Sequence, residues 1–289
     1  MSIDTSGLRG IDVHTHVPRP PHMAPSRRAA QMAQYFRSPV MGMSIEEMVE
    51  LYRRLQLMAV VFDIDATSTD NSPGVGNDYV AEVMRRFPDV LIGWASVDPW
   101  QGRAAIQELE RAVGDLGLRG LKMHPITQAF FPDDQRFYPL WAKAQELGIP
   151  VIFHTGHTGV GAGAPGGTGL KLKHARPIHL DDVAADFPNL TIIGAHPSWP
   201  WQDEMLSVAL HKANVYFDLS GWSPKYFSPS LIQYANTLLQ NKVLFGSDFP
   251  VISPERWLSD FAAADFRDEV RPKILLENAR RVLKLDQAS

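Results

Sequence analysis

The chain has 289 residues, 28 lysines and arginines against 32 aspartates and glutamates, and no cysteine. Without cysteine there are no disulfides, no thiolate metal sites and no cysteine nucleophile, so any bound metal must be held by nitrogen and oxygen. The formal charge of −4, 45% apolar residues and basic residues in no block longer than a pair describe a globular chain with a sizeable core and exclude a phosphate-backbone partner. The first residues lack the charged start and apolar stretch of a secretory signal. The longest uninterrupted apolar run, Leu57 to Phe62, cannot span a bilayer. The expectation is a cytoplasmic protein with no membrane partner.

In chain order, short apolar runs alternate with longer amphipathic stretches. Strands are expected at Ile11–His16, Met58–Ile64, Leu91–Val97, Gly120–His124, Val151–Thr155, Thr191–His196, Val215–Leu219 and Val243–Ser247, each bounded by Gly, Pro, Asp or Asn. Helices are expected from Ser44, which forms a capping box with Glu47, and over Asn77–Phe87, Gly102–Leu116, Phe137–Leu147, Leu180–Phe187, Trp201–Ala213, Pro229–Gln240 and Pro272–Leu283. Eight strands alternating with helices argue one closed parallel α/β barrel over 1–289. Two insertions, 17–43 and 156–173, follow strand C-termini and so belong to the face of a barrel that carries active sites.

The pair His14 and His16 leaves one strand end. Residues two apart share a strand face, so their imidazoles should stand side by side. His154, His196 and Asp248 fall at the ends of the fifth, sixth and eighth expected strands, and all five would converge over the barrel top. Imidazole and carboxylate groups in that number argue a divalent metal site. Lys122 lies two residues before His124 on the fourth strand, on the same face but deeper. Asp12 is expected beneath the histidines, either orienting an imidazole or bonded to backbone. His124 either touches substrate or caps the next turn, and His157 enters a glycine-rich loop. Gly161-Ala-Gly-Ala-Pro-Gly166 matches a dinucleotide fingerprint only literally, because no helix opens there and Pro165 interrupts it. Lys171 and Lys173 beyond it are candidates to meet an anionic tail, or are merely solvated. Trp199, Trp201, Trp222, Tyr226, Phe130 and Phe131 follow strand ends and either pack loops or line a pocket for a planar substrate.

Asp12-Val-His-Thr-His16, Gly120-Leu-Lys-Met-His-Pro125, Phe153-His-Thr-Gly156, Ile193-Gly-Ala-His-Pro197 and Phe245-Gly-Ser-Asp-Phe-Pro250 together resemble the amidohydrolase superfamily, in the branch that includes aminocarboxymuconate-semialdehyde decarboxylase. The resemblance implies a distorted (β/α)8 TIM barrel. It implies one divalent ion, Zn first and Mn or another as alternatives, on His14, His16, His154 and Asp248. His196 matches the position that acts on substrate or water, and a homo-oligomer is common for such barrels. A binuclear site with a carboxylated Lys122 is the competing arrangement.

The expected activity is metal-dependent hydrolysis of a small ester, lactone, amide or acyl thioester, with His196 and Asp248 catalytic and His124, Lys122, His157, Trp199 and Trp222 around the substrate. Hydrolysis is preferred because of the long glycine-rich loop and because Ala195-His-Pro-Ser-Trp-Pro-Trp201 departs from the glycine-after-histidine pattern of the decarboxylases. The alternative is a nonoxidative decarboxylase or hydratase of an aromatic or unsaturated acid, for which Arg19, Arg27, Arg28 or Arg37 would supply a cation. A non-catalytic binding protein is the third reading.

Overall fold

The computed structural model describes residues 4–23, 35–36 and 42–285. Nine parallel strand segments, β1 (Gly10–His16), β2 (Leu57–Phe62), β3 (Leu91–Gly93), β4 (Ala95–Ser96), β5 (Leu121–Met123), β6 (Val151–His154), β7 (Ile192–Ala195), β8 (Val215–Asp218) and β9 (Val243–Leu244), are ordered β1-β2-β3 and β4 through β9. The two sheets are arcs of one ring. β3 and β4 are a single barrel position interrupted at Trp94, whose N–H bonds Val61 O at 3.0 Å while Ala95 N bonds Gly120 O at 2.8 Å. Val13 N to Phe245 O at 2.9 Å and His16 N to Phe249 O at 2.7 Å close the ring between its ends. The barrel therefore has the eight positions that the alternating pattern predicts, as a parallel α/β fold requires.

The α-helices of five residues or more are α1 (Ile45–Leu55), α2 (Asn77–Arg86), α3 (Arg103–Gly114), α4 (Tyr138–Glu146), α5 (His179–Asp186), α6 (Gln202–His211), α7 (Pro229–Ala235), α8 (Pro254–Ala263) and α9 (Asn278–Val282). The expected capping box of Ser44 and Glu47 starts α1. α8 falls outside the expected helices, although its signal is present: Ser253 accepts a hydrogen bond from Arg256 N at 3.3 Å, with Pro254 in the first turn. The last expected helix is divided into a π-helical turn, Lys273–Glu277, followed by α9.

Two apolar clusters separate the layers. Ile11, Val13, Met58, Val60, Ile152 and Ile193 belong to an inner cluster, while Ala59, Val61, Leu121, Met123 and Phe153 pack with the helices in an outer one. Alternate residues of each strand thus face opposite sides. Beyond Asp12 the pairing of β1 with β2 shifts, Asp12 facing Ala59 but Thr15 facing Val61. This extra residue reverses the alternation, so His14, which would follow inward Val13 on the outside, turns inward with His16. Asp12 is left on the outer side, where it accepts hydrogen bonds from Tyr52 Oη of α1 at 2.8 Å and from Ser247 N at 2.9 Å. Asp12 also accepts from the His14 backbone at 3.2 Å, so it fastens backbone rather than an imidazole. Among the described residues no helix is long and apolar enough to cross a membrane.

Candidate metal centre and active site

His14 Nε2 and His16 Nε2 stand 3.4 and 3.3 Å from one atom, Asp248 Oδ1. Donors about 2.0–2.2 Å from a common ion are separated by roughly 3 to 3.5 Å, so this spacing matches three ligands around one divalent cation. β1 supplies both histidines. Asp248, just past β9, is turned toward them by a left-handed backbone (φ +67), held by its own N–H on His14 O at 2.9 Å. The edge of Phe62, at the end of β2, packs on both imidazoles with ring centroids 5.1 and 5.3 Å away.

His154, at the end of β6, is one ring removed from these three. Its Nδ1 is 2.9 Å from His196 Nε2, and its buried Nε2 has no hydrogen-bond partner among the described residues. A buried unpartnered imidazole nitrogen costs free energy unless something else satisfies it, and a cation is a suitable partner for its lone pair. The donor set, imidazoles plus one carboxylate, is the nitrogen and oxygen chemistry that divalent zinc or manganese accepts.

His196 ends β7 at φ +73, which overrides the alternation that would aim it outward after inward Ala195. Both of its ring nitrogens are engaged, Nε2 with His154 and Nδ1 with Ser220 Oγ at 2.8 Å. For His196 to act on substrate or water, as expected, one of these two bonds must open. Asp218, on β8, is a residue the sequence reading passed over. Its Oδ2 is 3.0 Å from His14 Nδ1, and its Oδ1 accepts from His196 N, Ser220 N and Ser220 Oγ. The available signal was an acidic residue inside the apolar run of a strand, since a buried carboxylate is retained only with partners.

Lys122 Nζ lies 3.1 Å from His14 Nε2 and 4.7 Å above the Phe62 ring. Burial pushes its ammonium down to about 8, against the attraction of Asp218 and Asp248. Burial, reinforced by Lys122, pushes His14 down to about 3. Burial also lowers His154 and His196. These imidazoles are neutral at pH 7, the state in which a ring nitrogen ligates. Burial pushes the Asp248 carboxyl up, but the His16 hydrogen bond and the nearby His14 and His196 hold it below the usual range.

The cluster is at the floor of a cleft of about 940 Å³. All five expected substrate residues, Lys122, His124, His157, Trp199 and Trp222, line it. His124 stacks on His154 at 4.0 Å and also caps its turn, accepting from Thr127 N at 3.3 Å. Trp199 packs against His157 and Trp222, with centroids 5.5 and 5.8 Å apart. The other expected aromatics are elsewhere: Phe130 is in the core, Tyr226 is exposed, Phe131 packs on His174, and Trp201 lies under Arg176. Lys173 sits over Phe131 and does not line the cleft, nor does Lys171. Of the first insertion's arginines, Arg19 lines the cleft, whereas Arg27, Arg28 and Arg37 lie outside the described residues.

The amidohydrolase family pattern matches residues 11–285. The chain belongs to the amidohydrolase family. It is thus an enzyme of that superfamily, and the non-catalytic reading falls away. Gamma-resorcylate decarboxylase of Rhizobium radiobacter is 24% identical over 248 residues, 73% of this chain and 75% of the relative. A 2-keto-4-carboxy-3-hexenedioate hydratase of Sphingobium is 28% identical over 242 residues, 71% of this chain and 69% of the relative. Among solved structures, an uncharacterized TIM-barrel protein of Bordetella bronchiseptica has a TM-score of 0.77 at 27% identity, covering 95% of this chain and 99% of that one. A dihydroxybenzoic acid decarboxylase of Polaromonas, with bound manganese and the inhibitor 2-nitroresorcinol, has a TM-score of 0.69 at 19% identity, covering 96% and 98%. The relatives with a printed activity are two decarboxylases and a hydratase. They favour the decarboxylase or hydratase alternative over the hydrolysis that the glycine-rich loop suggested. That loop gives the cleft only its first residues, His157 to Val160.

Proposed function

We propose that this chain is a metal-dependent, nonoxidative decarboxylase of a small aromatic or unsaturated carboxylic acid. The convergence of His14 Nε2 and His16 Nε2 on Asp248 Oδ1 at the floor of a cleft with an aromatic wall carries the metal reading, and the decarboxylase relatives favour this reaction on it. His14, His16, Asp248 and the unpartnered His154 Nε2 would hold one divalent ion, with manganese the first to try because a relative's structure contains it. When bound, that ion supplies a Lewis acid for the substrate's oxygen atoms.

The chain's own residues do the rest. Trp199 and Trp222 offer flat faces for a planar substrate. Arg19 is the arginine among the described lining residues. It is held loosely, 3.9 Å from Asp63 Oδ2 and 3.2 Å from the Met23 sulfur, which leaves its fork available to orient an anionic substituent. In decarboxylation the bond from carbon to carboxylate breaks, its electron pair stays on carbon, and a proton replaces the departing carbon dioxide. Asp248 Oδ2, the oxygen that the two imidazoles do not engage, is the atom suited to relay that proton. Hydrolysis gains less support, because the named relatives are decarboxylases and a hydratase.

The test is a panel of hydroxybenzoates and unsaturated dicarboxylates offered to manganese-loaded protein, following carbon dioxide and the ultraviolet spectrum. Stoichiometric carbon dioxide with a decarboxylated product is expected. Arg19→Gln should raise KM by about 10- to 100-fold, the worth of a hydrogen bond to a charged group. A hydrated product without carbon dioxide would instead favour the hydratase relative's reaction, and cleavage of esters or thioesters alone would restore hydrolysis.

A further inference from the structure

Asp218, Ser220, His196 and His154 form one hydrogen-bonded chain, and its proton positions follow from counting donors. Asp218 Oδ1 is 2.5 Å from Ser220 Oγ, which is 2.8 Å from His196 Nδ1. The hydroxyl has one proton to give. If it went to His196, two bare oxygens, one belonging to a carboxylate, would face each other at 2.5 Å. The proton therefore points to Asp218, and the serine oxygen accepts from His196 Nδ1–H. A neutral imidazole with its proton on Nδ1 has a lone pair on Nε2, which then accepts from His154 Nδ1–H at 2.9 Å. The remaining His154 nitrogen, Nε2, is left with a lone pair, and it is buried without a hydrogen-bond partner among the described residues.

We propose that Ser220 is a positioning residue that sets the tautomer of His196 and, through it, of His154, so that His154 Nε2 offers a lone pair as a ligand to a divalent ion. The inference rests on the metal reading of this site. Asp218 is the common anchor, because its other oxygen, Oδ2, fixes the proton of His14 on Nδ1 and leaves on His14 Nε2 the lone pair that Lys122, 3.1 Å away, would yield to an ion. One carboxylate thereby presets two imidazoles from different strands, directly in one case and through a serine hydroxyl in the other. The neighbouring Gly221 (φ +73) lets the imidazole lie close, since a Cβ there would come within 2.7 Å of His196 Nδ1. Without the Ser220 oxygen, His196 is free to carry its proton on Nε2. His154 would then have to turn its own proton to Nε2, which cannot ligate in that form.

Imidazole ¹⁵N NMR of the metal-free wild-type protein tests the proton positions without any substitution. The expected spectrum has protonated Nδ1 and bare Nε2 for both His154 and His196; a protonated Nε2 on either residue overturns the proposal. Manganese binding to the folded protein, followed by electron paramagnetic resonance, tests the consequence. Ser220→Ala should weaken manganese by about 10- to 100-fold, as loss of an outer hydrogen-bonding partner does, and should move the His154 Nε2 resonance to the protonated type. Unchanged affinity and spectrum in Ser220→Ala contradict the proposal. A wild-type protein that binds no manganese, zinc or cobalt would instead defeat the metal reading, a result distinct from a wrong tautomer.

Discussion

His196 and Asp248 both adopt left-handed backbone conformations, φ +73 and +67, that side chains other than glycine rarely take. Strain of this kind persists only where the surroundings enforce it, and here it brings two polar groups to the cluster that an ideal strand would aim elsewhere. The residue types and their places at strand ends were legible in the sequence, but these backbone reversals were not, because no local signal marks them. Asp218 and Ser220 were missed for a related reason: their importance depends on hydrogen bonds to His14 and His196, on β1 and β7. Asp12 shows the opposite error, since it keeps the expected residue type but faces α1. Asp248→Asn is expected to lose metal as well as turnover. The change removes the one anionic donor among the four proposed ligands, so affinity should fall by more than the about 10- to 100-fold that outer partners contribute. Metal analysis of the purified variant checks it, and wild-type metal content would remove Asp248 from the ligand set.

The bulge in β1 is the element-scale counterpart. Spacing alone put His14 and His16 on one face, and they share it. That shared face becomes the inner one only because an extra residue separates the Asp12 and Thr15 pairings. Periodicity predicts that two side chains agree, but it does not predict a register shift that decides which way they point. The third barrel position has a similar irregularity at Trp94, where β3 ends and β4 begins. Trp94 is fully buried and lies against Gly120, and a Cβ on that glycine would fall 2.2 Å from the indole. Gly120→Ala therefore forces either the tryptophan or β5 to move, at a cost of about 1–3 kcal/mol or more. Chemical denaturation of metal-free protein should show an earlier midpoint, and an unchanged midpoint would mean that the indole has room to shift.

Across the whole molecule, the barrel gathers residues from positions 14 to 248 of the chain onto one floor, as parallel strands with their C-terminal ends on one face must. Alternating apolar runs and punctuating turns made that architecture readable, and the strand-end histidines made the cluster readable with it. The reaction was less so. The same donors serve hydrolysis, hydration and decarboxylation, and the choice depends on which groups remain free to move a proton and on what the cleft walls admit. The relatives, two decarboxylases and a hydratase, and the flat Trp199–Trp222 wall favour a lyase. The proposed reaction requires one divalent ion on His14, His16, His154 and Asp248 for carbon dioxide release. Titrating metal-free protein with manganese while following carbon dioxide from a hydroxybenzoate that it accepts tests this directly. Activity should rise from zero and level off at one equivalent. Release without metal, or a rise that continues to two equivalents, would rule out a single required ion.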